Sequence, residues 1–229
     1  MEASQLPLFL RLMDRLCLLV GSEGEATRKG LALLNAGAHL IIVAERLDGP
    51  LMEAVRAGRA IWKCEPFAPE HLDGVWLALS ASPDEALNAK IHEAALARRV
   101  WLNVVDQPRY CTVIWPAVVS RPPVQVAIGT GGAAPALAGY LRRRIEAWLP
   151  ERVGALAGRL AVWRSAVPGG VEARGLFWRN LLDQGVADRF LGGDEAHAEI
   201  LVKQALDALE TGGPAGEAEN VARETPTQE

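Results

Sequence analysis

The feature that most constrains the fold is an alternation of short apolar runs and helical patterns between residues 14 and 113. Five runs are nearly continuous in apolar residues: "RLCLLVG", "HLIIVAE", "AIWKCE", "VWLALSA" and "VWLNVVD". Strands of this kind are typical of parallel sheets that helices cover on both faces. The alternation therefore predicts an α/β domain with a Rossmann-like parallel sheet.

A different pattern follows Asp106. The segment "CTVIWPAVVSRPPVQVAIGTGG" predicts two strands joined by the turn "SRPP", and a helix is expected over 133–150. Its apolar face would hold Leu137, Leu141, Ile145 and Trp148, for a core or an interface between chains. We expect a Rossmann-like domain over 1–113, a small α+β segment over 114–150, an all-helical domain over 151–210 with breaks at "VPGG" and "LGGD", and a disordered tail over 211–229.

Composition excludes several classes of protein. The net charge of −4 and the pI near 5.7 argue against nucleic acid as a partner. The N-terminus shows no signal peptide and no long apolar span, so we expect a soluble cytoplasmic protein without a membrane partner. Three cysteines and four histidines, widely spaced, predict neither a disulfide framework nor a protein-held metal site.

The turn after the first strand, "VGSEGEATRKG", occupies the place of a dinucleotide-binding fingerprint. Gly21 fits its first glycine and Ala26 its small third position, but Glu23 replaces the second glycine. A carboxylate about 4 Å from a phosphate would cost about 4 kcal/mol at an effective dielectric constant near 20, unless Glu23 turns into solvent. Glu45, at the end of the second strand, suits the ribose hydroxyls of NAD. The turn alone leaves dinucleotide binding undecided.

Three stretches carry a resemblance to a known family. They are "LPLFLRL", then "GEATRKG" with "LLNAGA", and above all "NVVDQPRYCTVIWPAVVSRPPVQVAIGTGGAAPALAGYLRRRIE". They resemble the precorrin-2 dehydrogenases and sirohydrochlorin ferrochelatases, including the N-terminal module of sirohaem synthases. The likeness covers about residues 6 to 209, and "LFWRNLL" is similar to the aromatic signature of the family's helical domain.

The resemblance implies a homodimer, formed through the 114–150 segment, that oxidises precorrin-2 to sirohydrochlorin with NAD as cofactor. Ferrous iron would be a further substrate in members that also chelate metal. The family's aspartate falls on Asp106, implied as the general base; from the residues alone, an Asp that only turns the chain before Pro108 stays open. The cofactor-binding residues are expected to be Gly21, Ser22, Glu23, Gly24, Glu25, Ala26, Glu45, Arg46 and Ser82.

A second glycine-rich turn, "IGTGGAAP", is the candidate substrate site. Thr130, Gly131 and Gly132 stand directly before the predicted helix, whose free N–H groups could hold carboxylates of the tetrapyrrole. A hinge that binds nothing is the open alternative.

The chain departs from the family at the cofactor. Glu23 replaces a glycine, while Ser82 and Pro83 replace a threonine and an aspartate. The alternative hypothesis is therefore a chelatase or tetrapyrrole-binding relative with an impaired NAD site. A dinucleotide-binding regulatory module unrelated to tetrapyrroles ranks last, because it leaves the match after Asp106 unexplained.

Overall fold

The computed structural model describes residues 5–210 and divides the chain into two compact units. The first comprises the chain up to Pro116 together with Gly129–Pro135. The second comprises Ala117–Ile128 and the chain from Ala136 onward. The expected tail over 211–229 lies outside the described residues, and the four domain ranges drawn from the sequence stay predictions.

A five-stranded parallel sheet forms the centre of the first unit. Its strands run in the order β3-β2-β1-β4-β5, which confirms the predicted Rossmann-like architecture. Their bounds are β1 Leu16–Val20, β2 His39–Val43, β3 Ala60–Lys63, β4 Leu77–Ser80 and β5 Trp101–Val104.

Helices cover both faces of this sheet because its strands are apolar on both sides. Helices α1 (Glu25–Asn35) and α2 (Gly49–Arg56) pack on one face around the fully buried Leu19. Helix α3 (Glu85–Arg98) and a short 3₁₀ turn pack on the other face, around Leu18. The carboxyl ends of all five strands lie at one edge, where ligands bind in sheets of this class.

The second unit begins with an antiparallel hairpin, β6 (Ala117–Arg121) and β7 (Val124–Ile128), whose connection falls inside the predicted turn at 120–123. Five helices follow, separated near both predicted breaks; their bounds are α4 Pro135–Trp148, α5 Val153–Arg164, α6 Val171–Leu181, α7 Ala187–Leu191 and α8 Glu195–Glu210. A π-helical turn over Leu182–Val186, absent from the prediction, joins α6 to α7 at Gly185, whose φ is 88°.

The apolar face of α4 is exposed in the single chain. Trp148 is 75% exposed and Leu137 48%, so neither side chain lies in a core formed by residues 5–210. Their place in an interface between chains stays a prediction. The helix is also shorter than the expected 133–150, because Pro135 is its first residue.

No helix within residues 5–210 combines the length and the apolar character needed to cross a membrane.

Candidate functional site

The turn between β1 and α1 has the backbone conformation that a fingerprint glycine provides. Gly21 has φ 108°, which L side chains rarely adopt, and its N–H donates to the carbonyl of Val43 at 3.0 Å. A Cβ at this position would lie 3.6 Å from Cβ of Ala81 and 3.7 Å from that of Ala26. Gly21 and Ala26 thus keep the close approach of turn, helix and strand that the fingerprint requires.

Glu23 points into solvent. Its side chain is exposed and has no hydrogen bond or ion pair within residues 5–210, while its backbone carbonyl accepts from the N–H of Ala26 at 3.0 Å. Gly24, with φ 54°, is the N-cap, so no side chain occupies the position in front of the first helical N–H groups. In the same turn Ser22 accepts through its carbonyl from the hydroxyl of Thr27 at 2.7 Å.

Glu25, the first residue of α1, is paired within its own helix. Arg28 donates to both of its carboxylate oxygens, at 2.9 and 2.6 Å, and these hydrogen bonds lower the pKa of Glu25. The positive charge of Arg28 thereby compensates the charge of Glu25, one of the two acids at the N-terminus of α1. Glu23 is the acid without a partner in the described chain.

A buried network braces the loop after β4. The hydroxyl of Ser80 donates to Oδ1 of Asn88 at 2.6 Å, and Nδ2 of Asn88 donates to the carbonyl of Ser82 at 2.9 Å. The hydroxyl of Ser82 accepts from the N–H of Asp84, and Asp84 caps α3, which begins at Glu85. Asn88 was not predicted from the sequence, because its position in the helical pattern is the same as that of an ordinary core residue.

At the end of β2, Glu45 and Arg46 are both exposed, with side chains that make no hydrogen bond within residues 5–210. The backbone beneath them is fixed by β3: the indole N–H of Trp62 donates to the carbonyl of Ala44 at 2.9 Å, and the thiol of Cys64 contacts the carbonyl of Glu45 at 3.3 Å. Both side chains are therefore available at the carboxyl edge of the sheet.

Asp106 lies two residues beyond β5, at the same edge as Gly21. It has φ 56°, the left-handed conformation that Asp adopts more readily than most residues. Its carboxylate is exposed and makes no hydrogen bond or ion pair in the described part of the chain. Asp106 thus turns the chain through its backbone and leaves its carboxylate available.

The loop that carries Asp106 is closed at its base by other side chains. The hydroxyl of Thr112 accepts from the N–H of Leu102 at 2.8 Å. The thiol of Cys111 accepts from the N–H of Val104 at 3.1 Å, and burial raises the pKa of this thiol.

Lys29 and Asn103 form a buried polar pair beneath this loop that the sequence did not indicate. Nζ of Lys29 donates to Oδ1 of Asn103 at 2.8 Å and lies 5.5 Å from the ring centroid of Trp115. Nδ2 of Asn103 donates to the carbonyl of Val113 at 3.0 Å. Burial lowers the pKa of Lys29, and the charges of Glu25 and Asp106 partly oppose that effect.

The second glycine-rich turn precedes α4 in the sequence, but two further residues lie between the turn and the first residue of the helix. Gly131 and Gly132 have φ 64° and 85°, and a Cβ on either would meet nothing within 4 Å. The carbonyl of Thr130 accepts from the N–H of Ala133, so a tight turn separates these residues from the first helical residue, Pro135. The expectation that the helix begins immediately after Gly132 is wrong by two residues.

Within residues 5–210, no three His, Cys, Asp or Glu side chains are placed to hold a metal ion.

Three family models match the chain in sequence order. One described as putative NAD(P)-binding matches residues 8–117, that of the sirohaem biosynthesis protein central region matches 121–147, and that of the sirohaem synthase dimerisation region matches 152–206. The expected resemblance to sirohaem biosynthesis proteins is thereby confirmed along these three regions. The putative NAD(P)-binding match falls almost entirely in the first unit and supports NAD as the expected cofactor.

The curated relatives are longer proteins. Siroheme synthase 3 of Aeromonas hydrophila subsp. hydrophila is 42% identical over 149 residues, which are 65% of this chain and 32% of the relative. Siroheme synthase 1 of Pectobacterium atrosepticum is 45% identical over 149 residues, 65% of this chain and 31% of the relative. The chain therefore spans about a third of the length of the curated relatives that it matches.

A solved structure shares the fold. SirC, a precorrin-2 dehydrogenase, superposes with a TM-score of 0.70 at 21% identity, over 88% of this chain and 98% of that one. The predicted fold class is thereby confirmed along most of the chain.

Proposed function

We propose that the chain is an NAD-dependent dehydrogenase that oxidises precorrin-2 to sirohydrochlorin, acts as a homodimer and uses Asp106 as its general base. The observation that carries this proposal is an exposed carboxylate, without a partner in residues 5–210, at the carboxyl edge of an NAD(P)-binding sheet. Relatives named sirohaem synthase and a fold neighbour named precorrin-2 dehydrogenase supply the substrate class. The match to a sirohaem synthase dimerisation region supports the homodimer.

The residues present fit a dinucleotide. Gly21 supplies the tight turn, and the N-terminus of α1 offers backbone N–H groups that no side chain caps. Glu45 would hold the ribose hydroxyls and so favour NAD over NADP, although Arg46 beside it is the residue type that accommodates an extra phosphate. Ser82 would border the cofactor from the loop after β4.

Bound NAD⁺ would accept a hydride from the tetrapyrrole. Asp106 would take the proton that the macrocycle releases, since its carboxylate is exposed and no neighbouring side chain in the described chain occupies it. Adjacent strands are about 4.8 Å apart, so β1 and β5, with β4 between them, end about 10 Å from each other. The cofactor turn and the base are thus neighbours at one edge.

We infer that the turn at Thr130, Gly131 and Gly132 contacts carboxylate side chains of the substrate. Its glycines are exposed and leave open space, so the backbone N–H groups can approach an anion closely. Ferrous iron is proposed as a further substrate, delivered to the macrocycle, where Asp106 would accept protons from the pyrrole nitrogens.

The decisive assay follows precorrin-2 oxidation by NADH absorbance, with Asp106→Asn as the test variant. Asn also tolerates the left-handed conformation, so the loop is kept while the base is lost. We expect activity to fall by about a hundredfold or more with NAD affinity unchanged. Asp14→Asn is the matched control, because Asp14 is exposed, has φ 58° and precedes β1 at the opposite edge of the sheet. Full activity in Asp106→Asn would refute the assignment.

The second candidate is a chelatase or tetrapyrrole-binding protein with an impaired NAD site, favoured by Glu23, which has no partner among residues 5–210. Calorimetric titration with NAD and with NADP separates the two functions. Absence of NAD binding, together with ferrous iron insertion that proceeds without NAD, would select the second. Tight NAD binding by the unaltered protein would exclude it.

A further inference from the structure

Lys29 is the only Lys, Arg, Asp or Glu buried within residues 5–210, with 6% of its surface exposed. A buried ammonium loses its hydration, and water is replaced here by a single hydrogen-bond acceptor, Oδ1 of Asn103. The indole of Trp115 adds a cation–π contact from one side. A methionine would fill the same space without the loss of hydration, so the position calls for a role other than packing.

The ammonium fixes the orientation of the Asn103 amide. The ammonium of Lys29 can only donate hydrogen bonds. The Asn103 amide must therefore turn its oxygen toward Lys29. The amide nitrogen is then directed to the carbonyl of Val113, to which it donates at 3.0 Å. Asn103 precedes the Asp106 loop and Val113 follows it, so this hydrogen bond closes the loop at its base.

We propose that Lys29 is a positioning residue, which acts through Asn103 to hold the Asp106 loop in its turn conformation. The inference depends on the proposed function for its catalytic consequence, but not for the structural one. The carboxylate of Asp106 makes no hydrogen bond in the described chain, so its place is set by the base of the loop. There the Asn103 side chain acts together with backbone hydrogen bonds from the N–H groups of Thr112 and Val113 to the carbonyl of Leu102, at 2.8 and 3.1 Å. Burial lowers the pKa of Lys29, and the charge of Asp106 acts weakly in the opposite direction.

Four variants separate positioning from packing. Lys29→Met keeps the volume and removes the donor, while Lys29→Arg keeps a charged donor. Asn103→Asp keeps an acceptor for Lys29 and removes the donor to Val113. The double variant Lys29→Met with Asn103→Leu replaces both polar groups by apolar ones, which limits the cost in stability. Lys90→Met, at an exposed position on α3, is the control for loss of a lysine.

Two readouts are measured on the full chain: kcat and KM for NAD-dependent precorrin-2 oxidation, and hydrogen–deuterium exchange of the amides in residues 104–113. In Lys29→Met and Asn103→Asp we expect kcat to fall by about tenfold to a hundredfold, with KM for NAD changed less than about threefold. Exchange in the loop should accelerate in both. Lys29→Arg should recover part of kcat, and the double variant should lose about as much kcat as Asn103→Asp, because both lack the donor to Val113.

Unchanged kcat and unchanged loop exchange in folded Lys29→Met would overturn the proposal. If Lys29→Met does not fold, Asn103→Asp is the deciding variant. A wild-type kcat and wild-type loop exchange in Asn103→Asp would also overturn the proposal. A wild-type chain without dehydrogenase activity would refute the proposed function alone, because loop exchange still shows whether Lys29 holds the Asp106 loop.

Discussion

Replacing Glu23 by glutamine tests how much the charge of Glu23, in the turn between β1 and α1, weakens the binding of the NAD phosphates. The substitution removes one negative charge and keeps the side-chain shape. The estimate from the sequence, at about 4 Å and a dielectric constant near 20, was about 4 kcal/mol, equivalent to roughly a thousandfold in affinity. The structure replaces that estimate, because the Glu23 carboxylate is exposed and lies in solvent.

For a solvated carboxylate about 8 Å from a pyrophosphate, each charge pair costs about 0.5 kcal/mol in water, and two pairs about 1 kcal/mol. At about 0.15 M salt the Debye length is about 8 Å, which reduces the total to about 0.4 kcal/mol, or twofold in affinity. At about 0.01 M salt nearly 0.8 kcal/mol remains, or about fourfold.

Calorimetric titration of NAD into the unaltered protein and Glu23→Gln, at both salt concentrations, provides the measurement. Glu93→Gln is the control: Glu93 is also exposed, and lies eight residues into α3, about 12 Å along the helix from its N-terminus. We expect the variant to bind NAD about twofold more tightly at the higher salt concentration and about fourfold at the lower, with no change in the control. A gain above about thirtyfold, or a gain independent of salt, would refute the reasoning.

Three other outcomes follow from the first unit. Asn88→Ala should lower the free energy of unfolding by about 2 kcal/mol in urea denaturation, since it leaves the buried hydroxyl of Ser80 without its acceptor; a loss below about 0.5 kcal/mol would contradict this. Iodoacetamide labelling read by mass spectrometry should modify the exposed Cys64 first and Cys17 only on unfolding, because burial raises the pKa of Cys17 to about 11. Burial lowers the pKa of Lys29, so the folded chain releases this proton before the unfolded chain does. The contribution of Lys29 to the free energy of unfolding must then rise with pH between its lowered pKa and the pKa of a free lysine. Lys29→Met should lose that rise, whose upper end lies at the pKa of a free lysine, about 10.4, and an unchanged pH dependence would contradict the assignment.

The sequence predicted the sheet because each strand is a continuous apolar run, and burial on both faces leaves few alternatives to a parallel sheet. It also predicted a turn at Gly21 and an acid after the last strand at Asp106, since both are local features; their roles at the site stay predictions. The Lys29–Asn103 pair could not be found this way, because its members are 74 residues apart and meet only after α1 packs on the sheet.

Helical periodicity predicts that α4 has an apolar face, but it does not indicate what covers that face. Leu137 and Trp148 do share that face, yet both are largely exposed in the single chain. A period of 3.6 residues indicates which side chains lie together, and only packing decides whether the partner belongs to the same chain or to a second one. The π-helical turn at Gly185 was missed for a related reason, since a single glycine in a helical pattern does not distinguish a bulge from a break.

The two sequence-based alternatives for Asp106, a general base or a residue that turns the chain, are compatible in this structure. The turn uses the backbone of Asp106, at φ 56°, and its base is held by Asn103, Cys111 and Thr112. Because none of these hydrogen bonds involves the Asp106 carboxylate, holding the loop does not occupy the proposed base. The two roles can therefore be removed separately: Asp106→Asn should abolish proton transfer in an intact loop, and Lys29→Met should loosen the loop while the carboxylate remains.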